Sequence, residues 1–184
     1  ITGDDAADAA ARSAYFCSVN RNKRSLAIDI TSEDGAAILR DLAARSDILV
    51  ENFKVGGLAK YGLDYDSLKA INPRLVYCSI TGFGQDGPRA SQPGYDLLIQ
   101  GMSGIMDITG PEDREPQKMG VAFADLFTGV YGVIGIQAAL KMRAETGRGQ
   151  EVDLALFDTL SAVLANQGLN YMVTGKSPKR RGNR

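Results

Sequence analysis

The chain has 184 residues, 44% of them apolar and 23% charged, with a net charge of −1. That is enough chain for one domain with a substantial core, and the near-neutral balance argues against nucleic acid or an anionic membrane as a partner. There is no histidine, which excludes Ser/His and Cys/His nucleophilic systems within the chain and most zinc sites, so no metal is expected.

The opening stretch 4–10 is acidic and small-residued and reads as loose chain. Neither cysteine, Cys17 or Cys78, lies in a CxxC pair, so a reducing, cytoplasmic setting is expected. Residues 25–30 (Ser-Leu-Ala-Ile-Asp-Ile) read as a short strand. Thr31 and Ser32 offer an N-cap to a helix over 33–45, with Ile38, Leu39, Leu42 and Ala43 at helical spacing. Residues 47–50 form a second strand of buried type, followed by a loop and a helical turn through Gly56, Gly57 and Leu58. Asp64 is placed to cap a short helix ending before Asn72-Pro73. Residues 75–80 form a third strand, in which Cys78 serves as a small apolar residue.

Residues 81–93 hold three glycines and two prolines and read as turns. A helix is predicted over 95–106, a polar loop over 111–118 and a long helix over 125–145, stopped at Gly147. Residues 126–140 are uncharged but short for a membrane span and rich in glycine. Alternating Val152, Leu154 and Leu156 predict a strand over 150–156. Asp158 caps a last helix to about residue 173, with Leu160, Val163, Leu164, Tyr171 and Met172 on one stripe, and the basic tail 176–184 is a solvated loop. Strands alternating with helices imply an α/β fold, doubly wound on a mainly parallel sheet. In such a sheet ligands bind beyond the carboxyl ends of the strands, which directs attention to the loops starting at Asn52, Thr81 and Phe157.

Asp125 is the only charged side chain in the 22 residues from Met119 to Leu140. A carboxylate in so apolar a run is costly to bury without partners. The first turn of a helix is a place where backbone N–H groups and the dipole favour an anion. An ionised Asp held dry against a substrate is a candidate nucleophile; a helix cap or a buried ion pair is the plainer alternative. The stretch 82–87 matches G-x-G-x-x-G, but Pro88 follows at once and no helix opens until about Tyr95, so these glycines are read as turns lining a cleft rather than as a dinucleotide fingerprint. Gly129, Gly132 and Gly135, three residues apart, suggest close packing of the long helix against another backbone. Asn20, Lys23 and Arg24 ahead of the first strand, with Asn52, Lys54 and Lys60 after the second, either gather donors for a phosphate-bearing ligand at one sheet edge or are ordinary surface residues.

Seven stretches, in order across nearly the whole chain, carry a resemblance. They are Asn-Arg-Asn-Lys-Arg-Ser at 20–25, Asp-Ile-Leu-Val-Glu-Asn-Phe at 47–53, Asn-Pro-Arg-Leu-Val at 72–76, Ser-Ile-Thr-Gly-Phe-Gly at 79–84, Pro-Gly-Tyr-Asp at 93–96, Ala-Asp-Leu at 124–126 and Thr-Gly-Arg-Gly-Gln at 146–150. In these the chain resembles the family III CoA-transferases, such as formyl-CoA transferase and carnitine CoA-transferase. The resemblance implies a Rossmann-like large domain, here incomplete, with Asp125 as nucleophile. It implies coenzyme A contacts at Asn52, Phe53, Lys54 and Lys60, and a CoA site also lined by the stretch holding Ile28 and Thr31, by Arg24 just ahead of it, and by the turn at Tyr95. Lys54 and Lys60 occupy positions that vary in the family.

The implied reaction passes CoA between an acyl-CoA thioester and a free carboxylate through an aspartyl mixed anhydride and an enzyme-bound CoA thioester, with acyl-CoA and a small carboxylic acid as partners. Residues 79–84 and 108–112 look most like members that handle dicarboxylates with succinyl-CoA. Relatives are about twice as long and form interlocked homodimers. Their first strand–helix unit is expected upstream of Ile1, with the smaller domain and a glycine-rich shielding loop beyond Arg184. Residues 1–184 are thus expected to be part of the large domain and inactive alone. α-Methylacyl-CoA racemases share the superfamily but carry a His in the segment where this chain has Tyr95, so their two-base chemistry lacks a partner here. A non-catalytic CoA- or nucleotide-binding module is the other alternative.

Overall fold

The computed structural model describes residues 14–182. The acidic opening at 4–10 and the last two residues of the basic tail lie outside the described residues.

A short exposed helix, α1 (Ala14–Asn20), comes first. The strand expected over 25–30 does not form. An apolar alternation becomes a strand only with a ladder partner, and this segment pairs with none among the described residues. Its end is shaped by a local turn instead, in which the Asp29 carboxylate accepts from the backbone N–H and the hydroxyl of Thr31 at 2.9 and 2.7 Å. Helix α2 (Glu33–Ala44) starts where predicted because the Ser32 hydroxyl accepts from the Gly35 N–H at 3.1 Å. Then follow β1 (Ile48–Glu51), a 3-10 turn (Ala59–Tyr61), α3 (Tyr65–Ile71) and β2 (Val76–Thr81). The remaining elements are α4 (Asp96–Met102), α5 (Phe123–Thr146), β3 (Glu151–Ala155), α6 (Leu156–Val163) and α7 (Asn166–Thr174).

The three strands form a parallel sheet in the order β1-β2-β3, with Ile48 opposite Val76 and Tyr77 opposite Glu151. Side chains alternate faces along β2, so Tyr77 points into one core layer and Ile80 into the other. The first layer joins Tyr77 to Ala43, Leu58, Leu63, Leu68 and Leu75 under α2 and α3. The second gathers Ile99, Ala124, Leu156 and Leu160, with Ile80, Phe83 and Phe157 against them. Helices therefore cover both faces, as a doubly wound α/β fold requires. Cys78 is fully buried between them, as expected of a small apolar residue, and burial pushes its thiol up from the ordinary value.

Three sequence expectations change. Helix α4 ends four residues early, where the Ser103 hydroxyl bonds the Gln100 carbonyl and accepts from the Ile105 N–H, a local alternative to the helical ladder. The predicted last helix is two helices: Ala165, with φ 48°, breaks it between α6 and α7. Asp158 consequently lies inside the first turn of α6, and the proposed stripe is split, since Leu160 is buried whereas Tyr171 and Met172 are exposed. The three glycines of α5 do not share one face either. A three-residue step in a 3.6-residue helix drifts around the axis. A Cβ on Gly132 would meet Leu154 at 3.1 Å and one on Gly135 would meet Val152 at 2.8 Å, both side chains of β3, while nothing lies near Gly129.

Helix α5 has 24 residues and is, among the described residues, the one helix long and apolar enough to cross a membrane by length and composition. Here it lies along β3 and β2, and Gly147, at φ 75°, stops it as predicted. The basic tail is not wholly a solvated loop. The Arg180 guanidinium donates to the Asp107 carbonyl and carboxylate at 2.9 and 2.8 Å, to the Arg114 carbonyl at 2.9 Å and to the Pro111 carbonyl at 3.3 Å, tying the tail to the polar loop before α5.

Candidate active site

At the carboxyl ends of β1 and β2 a cleft of about 570 Å³ opens. Its lining includes Asn52, Phe53, Lys54, Thr81, Gly82, Gln92, Tyr95, Asp96, Asp125 and Leu156. A larger open cleft between the 108–113 loop and Arg181–Gly182 lies away from these strand ends and holds none of the candidate residues. Two of the three expected loops build the wall of the first. The third, at Phe157, does not exist, because β3 runs straight into α6 and contributes Leu156 directly.

Local bonds fix each wall. The Glu51 carboxylate accepts from the Phe53 N–H at 2.7 Å and turns the chain at the end of β1. The Thr81 hydroxyl accepts from the Gly84 N–H at 2.9 Å, the Asp153 carboxylate accepts from the Gln85 N–H at 3.0 Å, and the Gly82 carbonyl accepts from the Phe157 N–H at 3.1 Å. The glycine run at 82–87 is thus a set of turns beside the cleft, and no helix opens until Asp96. Gly82 and Gly94 touch backbone to backbone: a Cβ on Gly94 would stand 2.4 Å from the Gly82 Cα. That contact pins the start of α4, and with it Tyr95 and Asp96, against the end of β2.

Asp125 is the third residue of α5. Its helix starts at Ala122-Phe123, which offers no capping side chain. The cap comes from α4: Asp96 Oδ1 accepts from the Ala124 N–H at 2.8 Å and from the Asp125 N–H at 3.4 Å. Gln100, almost fully buried one turn along α4, donates to Asp96 Oδ2 at 2.7 Å and accepts from the Met119 N–H at 2.8 Å. Asp125 is therefore neither a cap nor half of an ion pair, and among the described residues its carboxylate has no hydrogen-bond partner. It lines the cleft but is solvent-exposed, against the sequence expectation of a carboxylate held dry, so the desolvation it feels is partial. Burial first, then the negative charge of Asp96, hold its carboxyl above the ordinary value.

Of the sequence-derived site residues, Asn52, Phe53, Lys54, Tyr95 and Asp125 share this cleft. Arg24, Ile28, Thr31 and Lys60 are not among its lining residues. Arg24 is exposed in the unpaired segment, Thr31 is held by Asp29, and the Lys60 ammonium sits 4.7 Å over the Tyr61 ring. Sequence reasoning missed Asp96 and Gln100. The signal was present: a long helix beginning without a capping residue needs an acceptor from elsewhere, and an Asp and Gln four apart share one helix face.

The model of the family described as CoA-transferase family III matches residues 2–184. The chain belongs to this family. A CoA-transferase III chain of similar sequence is the succinate–glutarate CoA-transferase of Agrobacterium fabrum strain C58, 55% identical over 170 residues, which are 92% of this chain and 42% of that protein. The succinyl-CoA:mesaconate CoA-transferase of Haloarcula hispanica is 44% identical over 181 residues, 96% of this chain and 46% of that protein. Among solved structures, a CAIB/BAIF family protein from Brucella suis superposes with a TM-score of 0.90 at 64% identity, covering 93% of this chain and 45% of that one. The chain thus spans less than half the length of these relatives.

Proposed function

We propose that the full-length protein transfers CoA between a dicarboxylyl-CoA thioester and a free carboxylate, with Asp125 as the nucleophile. One observation carries the reading: an unpaired carboxylate, its ionised form disfavoured by burial and by Asp96, faces a cleft at the strand ends. The names of the similar transferases, with succinate, glutarate and mesaconate among their substrates, support the dicarboxylate class.

In this mechanism the Asp125 carboxylate attacks the thioester carbonyl, the C–S bond breaks, and CoA leaves as its thiolate with an aspartyl mixed anhydride formed. The thiolate then attacks the Asp125 carbonyl carbon, releasing the donor carboxylate and leaving CoA as a thioester on Asp125. The acceptor carboxylate repeats the sequence in reverse: it displaces thiolate to form a new anhydride, and the thiolate attacks the acceptor carbonyl, giving product acyl-CoA and free Asp125. CoA is a substrate throughout, and every step uses only carboxylates and a thiol. A carboxylate is a weak nucleophile, so positioning supplies much of the rate. Asp96 contributes here by holding the first turn of α5. Because Asp96 already satisfies two N–H groups of that turn, the donors for the tetrahedral oxyanions come from other groups, backbone or side chain.

The test is to incubate full-length protein with succinyl-CoA, trap with hydroxylamine or borohydride, and read peptide masses. A mass change confined to Asp125, with transfer abolished in Asp125→Ala, is expected. Transfer surviving in Asp125→Ala, or rapid α-deuteration of a 2-methylacyl-CoA in deuterated water without transfer, would replace this reading.

A further inference from the structure

A dicarboxylate bound through one end brings a second, free carboxylate into a cleft that already holds Asp96 and Asp125. Like charges so placed repel, and a partly buried carboxylate needs a cationic partner. Among the described residues, the one cation in the cleft lining is Lys54, just past the end of β1. Ala90, Ser91 and Gln92 also line the cleft; Arg89, exposed and not itself a lining residue, immediately precedes them and reaches it through its bond to Gln92.

Arg40, Arg45, Arg143 and Arg180 each pair with a carboxylate, whereas Arg89, like Arg74 and several other arginines of the described residues, does not; what sets Arg89 apart is its place beside the cleft. It donates one N–H to the neutral Gln92 Oε1 at 3.0 Å, and its guanidinium carbon lies 6.0 Å from the centroid of the Phe83 ring. No acidic side chain of the described residues bonds it. A guanidinium has five donors in a rigid fork matched to a carboxylate, so most of its binding capacity is unused. Phe83 is itself anchored in the second core layer and tilted against Phe157 at 5.9 Å, so the exposed guanidinium has a fixed aromatic ring within cation–π range.

Resting on the function proposed above, we infer that Arg89 binds the free carboxylate of the dicarboxylate substrate and so selects dicarboxylates over monocarboxylates. The Gln92 amide holds the guanidinium until the substrate carboxylate takes its place. Lys54, a flexible point charge, lacks the planar fork of donors that Arg89 offers.

The experiment compares acceptor kcat/KM for glutarate and for pentanoate, which has the same carbon count and no second carboxylate, in full-length protein with succinyl-CoA as donor. In a ping-pong reaction that constant reports the acceptor half-reaction alone. Arg89→Gln is expected to lower the glutarate-to-pentanoate ratio roughly ten- to hundredfold, as loss of a charge-assisted bond predicts, with Arg89→Lys in between. A ratio unchanged in Arg89→Gln, or one that falls only in Lys54→Gln, would overturn the assignment of Arg89 while leaving the transferase reading intact. Failure of the unaltered protein to transfer CoA from succinyl-CoA to any dicarboxylate, glutarate and mesaconate included, would remove both.

Discussion

The backbone contact between Gly82 and Gly94 gives the sharpest test of how the cleft is built. A Cβ added at Gly94 would lie 2.4 Å from the Gly82 Cα and 3.2 Å from the Ile99 Cδ1. Carbon atoms in comfortable contact stand about 3.5–4.0 Å apart, so Gly94→Ala forces β2 and the start of α4 apart by roughly 1 Å. Overpacking of that size costs about 1–3 kcal/mol of stability. Tyr95 and Asp96 follow Gly94 directly, and Asp96 holds the first turn of α5, so the displacement reaches Asp125. Misplacing reacting groups by about 1 Å costs on the order of 10²-fold in rate. The assay is thermal unfolding together with kcat/KM for CoA transfer in full-length protein. Gly120→Ala serves as control, since nothing lies near a Cβ there and its φ is not positive. A Gly94→Ala protein with unaltered activity and melting temperature would refute the claim that this contact sets the site.

Asp96→Asn keeps an acceptor for the Ala124 N–H but removes a charge that raises the Asp125 pKa. Transfer needs Asp125 ionised and is lost as pH falls through that raised value, so the acid limb of the kcat/KM profile is expected to move to lower pH; an unmoved limb would argue against this coupling. The new amide N–H₂ would also face the Gln100 donor, costing about 1 kcal/mol in unfolding free energy. Tyr77→Phe removes the buried bond from the Tyr77 hydroxyl to the Leu63 carbonyl, 2.9 Å long, and is expected to destabilise by about 1 kcal/mol in denaturant titration. Arg180→Ala removes four bonds to residues 107–114 and should speed amide exchange across that loop while α5 keeps its protection.

Much of the fold could be read where local chemistry and tertiary packing agree. Ser32 ahead of the periodic 33–45 run placed α2, the apolar runs at 47–50 and 75–80 placed β1 and β2 within a residue or two, and Gly147 ended α5. The failures have two causes: some outcomes were decided by something distant in sequence, others by local bonds or backbone conformations that composition does not announce. Residues 25–30 have strand composition but no ladder partner among the described residues. Ala165 takes a positive φ with no glycine or proline to announce it. Asp125 stood out because it is isolated in an apolar run, and Tyr95 entered only through the family resemblance; both line the cleft. Asp96 was not legible, since its role depends on an α5 start 28 positions along the chain.

Because Asp96 clasps the first turn of α5 from outside, the span from Ser103 to Val121 is bridged at its base. Chain can be spliced into or trimmed from the middle of that span without disturbing the registry of the two helices beneath it. The polar excursion around residues 111–118 is therefore where changes of length are expected to be tolerated, at the cost of its bonds to Arg180, with the reacting group kept in the same place.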